Sequence, residues 1–270
     1  MHPPVSKGAF PFRIGTTSFI YPDDYVPNVR RLAPIVDEIE LLFFEGRDMV
    51  HLPPKHSIDE LVQLGADLDI GYNVHLPADL DLGHADDHLR RSAVHRMKQV
   101  LDIVAPLKAS THTLHLMWHP DDISNRGIFA RMSRHRESLT RLFDSGVDPK
   151  ALSIETLDYP FEWVEPVIRE WDLPVCLDIG HLIRYQYDMA QLYGRYRDKT
   201  AIMHLHGVQN GIDHLGLDQL PDSQWQRVRE ILSTYTGTVS VEVFAEPALI
   251  SSLLFLKQRR SEFITEHQEI

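Results

Sequence analysis

Short stretches in which apolar residues run together or alternate with polar ones recur along the whole chain. Between them lie segments whose apolar positions fall three and four residues apart. The first pattern marks strands and the second amphipathic helices. Strands are predicted at Phe12–Ser18, Asp37–Phe44, Asp69–Leu76, Thr111–Met117, Ala151–Leu157, Pro174–Gly180, Thr200–His206 and Gly237–Phe244. Helical spacing covers Ser57–Leu64, His88–Leu107, Ile128–Phe143, Phe161–Trp171, Met189–Tyr196 and Ser223–Tyr235. A closing helix is predicted over Pro247–Ile264, with its proline in the first turn. Asn28 to Val36 is the weakest helical stretch, because Pro34 interrupts it.

No Gly/Ser linker or low-complexity tract divides the chain, so residues 1–270 are expected to form a single domain. Eight βα units over this length fit a (β/α)8 TIM barrel, whose active site lies at the C-terminal ends of the strands. A doubly wound open sheet is the rival. It would leave edge strands and would not gather side chains from all strands into one ring.

Composition narrows the picture only a little. The chain is 43% hydrophobic and 24% charged, with a mean hydropathy of -0.24, as a globular protein should be. A formal net charge of -12 argues against a surface that grips nucleic acid through phosphates. The one cysteine, Cys176, excludes an intrachain disulfide and suits a reducing compartment. Neither a signal peptide nor a bilayer-length apolar run is evident, so a cytoplasmic location without membrane partners is the expectation.

The chemistry lies in where the polar residues fall. Residues two apart share a face of a strand. His75, His115, Glu155, Asp178, His204 and Glu242 each come late in a predicted strand, where inward-facing groups of a barrel converge. A single histidine on a strand is ordinarily a hydrogen-bonded core residue, and a buried glutamate ordinarily pairs with arginine or lysine. None of these inward slots holds Arg or Lys. Three carboxylates crowded together repel one another and are costly to desolvate unless a cation compensates them. Imidazoles mixed with carboxylates suit a divalent ion, Zn2+ or Mn2+ first.

Asp178-Ile179-Gly180-His181 is the most specific local string. Its aspartate would end strand six inside the barrel or cap the next segment, its glycine would permit a tight turn, and His181 would fold back over the pocket. Met203–Gly216 holds three more histidines. His204 falls at a ligand position, while His206, one pleat further out, reads as a rim or substrate contact.

The ordered set His75, His115, Glu155, Asp178, His181, His204, His214 and Glu242 resembles that of the endonuclease IV and xylose isomerase-like barrels, and the resemblance spans essentially the whole chain. It implies a cluster of up to three metals. His75, His115 and Glu155 would take the first, and Glu155, Asp178, His204 and Glu242 the second. Asp178, His181 and His214 would be left for a third. The aspartate expected two residues before His214 is replaced by Ile212, so either Asp213 swings in as a substitute or the third site is weak or missing. One or two ions are therefore expected.

Ile14–Glu45 resembles the cobamide-remodelling phosphodiesterases (CbiR) of the same superfamily. That resemblance implies hydrolysis of the nucleotide-loop phosphodiester of adenosylated cobamides to cobinamide phosphate and an α-riboside. Glu155, Asp178, His181 and Glu242 would be the catalytic residues. Thr17, Tyr21, Glu45, Arg184 (a phosphate clamp) and His206 would meet the substrate, the alternatives being a Tyr21 packed within its loop, a Glu45 that caps a surface loop and an Arg184 that faces solvent from its helix. A metal-dependent sugar (phosphate) isomerase or epimerase is the enzymatic alternative, since Glu155, Asp178, His204 and Glu242 suffice for one metal. A non-catalytic corrinoid- or sugar-phosphate-binding barrel is the other. An abasic-site DNA endonuclease ranks lower because the chain is acidic and lacks basic runs.

Overall fold

The computed structural model describes residues 3–43, 52–119 and 123–263. Eight parallel strands close into a barrel: β1 (Arg13–Thr17), β2 (Glu38–Leu42), β3 (Gly71–His75), β4 (His112–Leu114), β5 (Leu152–Glu155), β6 (Val175–Asp178), β7 (Thr200–Leu205) and β10 (Thr238–Val241). Each lies inside a stretch predicted from the alternation. β10 pairs with β1 through Arg13↔Thr238 to Thr16↔Val241, and this pairing closes the ring.

Both faces of the strands are buried, and each does a different job. Ile39 and Leu41 of β2, Tyr72 and Val74 of β3, Met203 and Leu205 of β7, and Val239 and Val241 of β10 join the hydrophobic core. The alternating positions Glu38, Glu40, Asn73, His75, Ser153, Glu155, His204 and Ser240 are buried and polar. Barrel interiors are ordinarily filled by branched apolar side chains. A polar interior of this kind must instead satisfy itself by hydrogen bonding or bind something.

The helical shell comprises α1 (Tyr25–Leu32), α2 (Lys55–Asp67), α3 (Asp87–Val104), α4 (Asn125–Asp144), α5 (Glu165–Trp171), α6 (Ile179–Arg184), α7 (Met189–Tyr196), α8 (Asp222–Leu232) and α9 (Glu246–Gln258). Local chemistry sets several of their starts. The Asp86 carboxylate accepts from His88 N at 2.7 Å to open α3, and Ser124 Oγ accepts from Gly127 N at 3.1 Å to open α4. α1 starts earlier than the Asn28–Val36 stretch and ends just before Pro34. Its own Pro27 is tolerated because first-turn N–H groups need no intrahelical acceptor.

Two short strands, β8 (Gly207–Gln209) and β9 (Ile212–Leu215), form an antiparallel hairpin between β7 and α8. No strand pattern marks them in the sequence. Asn210 and Gly211 turn the hairpin at φ 53° and 76°. Among the described residues, no helix is long and apolar enough to cross a membrane.

Candidate metal centre

The barrel delivers its functional side chains at one depth. His75, Glu155 and Asp178 are the last residues of β3, β5 and β6. His204 is the penultimate residue of β7, and His115 and Glu242 directly follow β4 and β10. This is the C-terminal face, as expected. Glu155, Asp178 and His204 are fully buried.

Around His204 Nδ1 stand Glu242 Oε2 at 3.3 Å, Glu155 Oε1 at 3.4 Å and Asp178 Oδ2 at 4.0 Å. All four atoms are buried, and none has a hydrogen-bond partner. Buried polar atoms are nearly always paired, so four orphans facing one another mark a place for a ligand that accepts lone pairs. A divalent cation fits this donor set in number and in chemistry. On its other side, Glu155 Oε2 lies 2.7 Å from His115 Nε2 and 3.2 Å from His75 Nε2, a second donor set sharing the same carboxylate.

The titration behaviour of the cluster agrees. Burial pushes the Glu155 carboxyl up, but His115 and His204 draw it well below the usual range. Burial likewise raises Glu242, and His204 more than offsets this. Burial alone would depress His75, yet its hydrogen bond to Glu155 and the charges of Glu155, Glu40 and Glu242 lift it to about 9. His204 also rises despite burial, under Cys176, Glu40, Glu242 and Glu155. Without a metal, the excess negative charge recruits protons onto the imidazoles. A cation would take their place.

A third donor set sits beside this one. His181, His206 and His214 have ring nitrogens within 4.8 Å of one another. His181 Nδ1 lies 3.0 Å from Asp178 Oδ2 and 3.2 Å from Thr156 O, and His214 Nδ1 lies 3.1 Å from Glu242 O. With Nδ1 so engaged on both rings, Nε2 is left as the free donor of each. His206, expected at the rim, is fully buried. Its Nδ1 accepts the His214 backbone N–H at 2.9 Å, and its Nε2 lies 3.3 Å from Asp178 Oδ1.

The β8–β9 hairpin folds His206 inward, and Gly180 makes room for it. A Cβ at residue 180 would come within 2.0–2.4 Å of the His206 ring. Gly180 therefore serves a close approach inside α6, not the tight turn expected of it. Asp178 combines both of its expected roles, since Oδ1 accepts from His181 N at 2.8 Å to cap α6 while Oδ2 faces the orphan cluster.

The remaining expected contacts are engaged in the framework. Thr17 Oγ1 donates to Val243 O at 2.7 Å, fully buried. Tyr21 Oη donates to Glu246 Oε1 at 3.2 Å under the Arg31 guanidinium. Arg184 is paired with Asp213, which anchors the hairpin to α6. Asp213 is thereby committed to an arginine and not to the histidine cluster. Glu45, like Phe44 and Ile264 at the ends of predicted elements, lies outside the described residues.

Two participants went unmarked in the sequence. Glu40 of β2 places Oε1 2.9 Å from His204 Nε2, and Cys176 shares a potential donor set with Glu155 and His204. Glu38 and Glu40, two apart in an otherwise apolar strand, were the available signal for an inward acidic face.

The profile of the xylose isomerase-like TIM barrel family matches residues 35–259. The chain belongs to that family. No curated protein matches it in sequence. Among solved structures, a D-tagatose 3-epimerase-like protein superimposes with a TM-score of 0.74 at 18% identity, over 93% of this chain and 98% of that one. D-psicose 3-epimerase from Clostridium cellulolyticum, solved with D-tagatose, gives 0.70 at 15% identity over 94% and 100%. Endonuclease IV from Thermus thermophilus gives 0.68 at 16% over 93% and 100%. At these identities the likeness speaks for the shared fold.

The expectation of a cobamide-remodelling phosphodiesterase is corrected by these matches, in which sugar epimerases and isomerases recur. The physical reason is visible in the segment that suggested it. The described part of that segment, Ile14 to Phe43, builds most of β1 and all of α1 and β2, and Thr16, Thr17 and Asn28 hydrogen-bond to backbone within the barrel framework. What the family member shows is a metal-coordinating site of a kind suited to catalysis.

Proposed function

We propose that this family member is a metal-dependent epimerase or isomerase of a small ketose-like sugar. One observation carries the reading: Glu155 Oε1, Asp178 Oδ2, Glu242 Oε2 and His204 Nδ1 converge, buried and without a hydrogen-bond partner, at the C-terminal mouth of the barrel. A Zn2+ or Mn2+ ion held by these four residues would polarise the carbonyl and neighbouring hydroxyl of a sugar, acidifying the carbon between them.

The chain's own groups then move the proton. Epimerisation at a carbon next to a carbonyl needs one base to remove the proton and a second group to return it from the other face. Glu155 and Glu242 reach the centre from separate strands, and both are held in the ionised, proton-accepting form. Glu155 Oε2 touches His115 and His75, which can relay a proton away from it. His181 stands by Asp178 as a further proton carrier, raised despite burial by Asp178 and Glu155. Burial of Glu155, Asp178 and His204 keeps bulk water from quenching the carbanion-like intermediate state.

The test is exchange in D2O. The metal-loaded protein is incubated with a panel of ketoses and their phosphates and followed by NMR. Deuterium entering at the carbon beside the carbonyl, with appearance of an epimer or aldose, is expected for at least one sugar. Absence of exchange across the panel, together with cleavage of a model phosphodiester, would overturn the assignment.

A further inference from the structure

We infer that Glu40 is the positioning residue that fixes His204 as a metal ligand through Nδ1. The inference rests on the metal centre itself and not on the sugar chemistry.

A neutral imidazole carries one N–H and one lone pair. His204 Nδ1 faces the three carboxylate oxygens of the centre, so ligation there requires the lone pair at Nδ1 and the proton at Nε2. Nε2 faces Glu40 Oε1 at 2.9 Å, and neither atom forms a hydrogen bond elsewhere. Both residues are fully buried, so bulk water does not reach this contact. The contact is an ion-pair approach that falls short of hydrogen-bond geometry in this structure.

Glu40 is itself anchored. Its other oxygen, Oε2, accepts the Ser240 hydroxyl at 2.5 Å. Ser240 stands opposite His204 in the β10–β7 register. Ser240 thus braces one oxygen of Glu40 while the other faces His204, linking β2, β10 and β7 inside the barrel. A carboxylate on the far nitrogen of a ligating histidine sets its tautomer and its orientation and raises its basicity. This explains why β2, which contributes no atom to the four-residue donor set, buries a carboxylate against it.

The test is metal affinity. Zn2+ binding is measured by competition with a chromogenic chelator, and the visible absorption of the Co2+-loaded protein reports on the ligand set. Glu40→Gln, which keeps the shape and removes the charge, is expected to weaken affinity about 10–100-fold. It should also alter the Co2+ spectrum. Ser240→Ala, which frees the carboxylate without removing it, should give a smaller loss in the same direction and covers the case in which Glu40→Gln does not fold. A folded Glu40→Gln protein with wild-type affinity and an unchanged Co2+ spectrum would overturn the inference, as would Ser240→Ala showing no loss if it alone folds. A wild-type protein that binds no metal would instead overturn the metal centre, a distinguishable result.

Discussion

The Arg131 guanidinium, almost wholly buried, closes on the Asp81 carboxylate at 2.7 Å. Asp81 belongs to the loop after β3 and Arg131 to α4, so the pair fastens two neighbours of the metal centre. Around it, Arg131 Nε donates to Met117 O at 2.8 Å, Arg134 Nε to Gly83 O at 2.6 Å and Ser138 Oγ to Leu82 O at 2.7 Å. One face of α4 thereby holds the backbone leaving His75 and the backbone leaving His115.

Breaking that pair is expected to be expensive. Arg131→Met leaves the Asp81 carboxylate without its main partner, a loss of about 3–5 kcal/mol for a buried ion pair. Asp81→Asn combined with Arg131→Met should cost less than the sum of the single changes, because the double variant leaves no unpaired charge. Chemical denaturation of the four proteins measures this. Strict additivity would show that the pair is not coupled.

His135 gives the fold a definite acid sensitivity. Burial and the neighbouring Arg131 depress its pKa from the ordinary 6.5 to about 3. The folded state therefore keeps the ring neutral while the unfolded chain binds a proton. Stability from this group is complete above pH 6.5 and falls as the pH drops towards 3, by about 1.4 kcal/mol per unit. His135→Gln removes the titration. Its stability should lie below wild type at neutral pH, and the gap should narrow steadily on acidification. A constant gap between pH 7 and 4 would refute the assignment.

Much of this architecture was legible because both faces of the barrel strands are buried in different chemistries. Apolar residues turned to the helices and polar ones turned inward preserve the period-2 signal, so all eight barrel strands and the polar side chains at their C-terminal ends could be read. The β8–β9 hairpin was not legible, since its strands are three and four residues long and its side chains follow no alternation. The burial of His206 was illegible for the same reason. Extrapolating the β7 period places it at the rim, whereas the chain turns at Gly207 and folds it under His214. Glu40 escaped notice because its partner, His204, lies far away in sequence. The N-terminal segment misled because it builds the shared framework of the barrel.

Metal should stabilise the protein measurably. A ligand present at 100 times its dissociation constant adds about 2.7 kcal/mol to the folded state. Dialysis against a strong chelator should lower the melting temperature, and Zn2+ or Mn2+ should restore it. Elemental analysis of the reloaded protein counts the ions held by these overlapping donor sets. Because the histidine ligands must shed protons to bind, uptake should release acid into a weakly buffered solution. An identical melting temperature with and without metal would argue that the cluster does not bind one.

Glu155 joins two sides of the centre, one oxygen facing His204 and the other facing His75 and His115. Glu155→Gln should therefore weaken metal binding at both and abolish turnover while leaving a folded barrel. In the metal-free state it removes one of three mutually repelling carboxylates, but it also removes the charge that His75, His115 and His204 pair with. The two effects oppose each other, so metal-free stability should change far less than the roughly 3–5 kcal/mol expected at Arg131. Calorimetric metal titration alongside denaturation separates function from fold. A Glu155→Gln protein with full metal stoichiometry and undiminished turnover would show that this carboxylate is not the hinge of the centre.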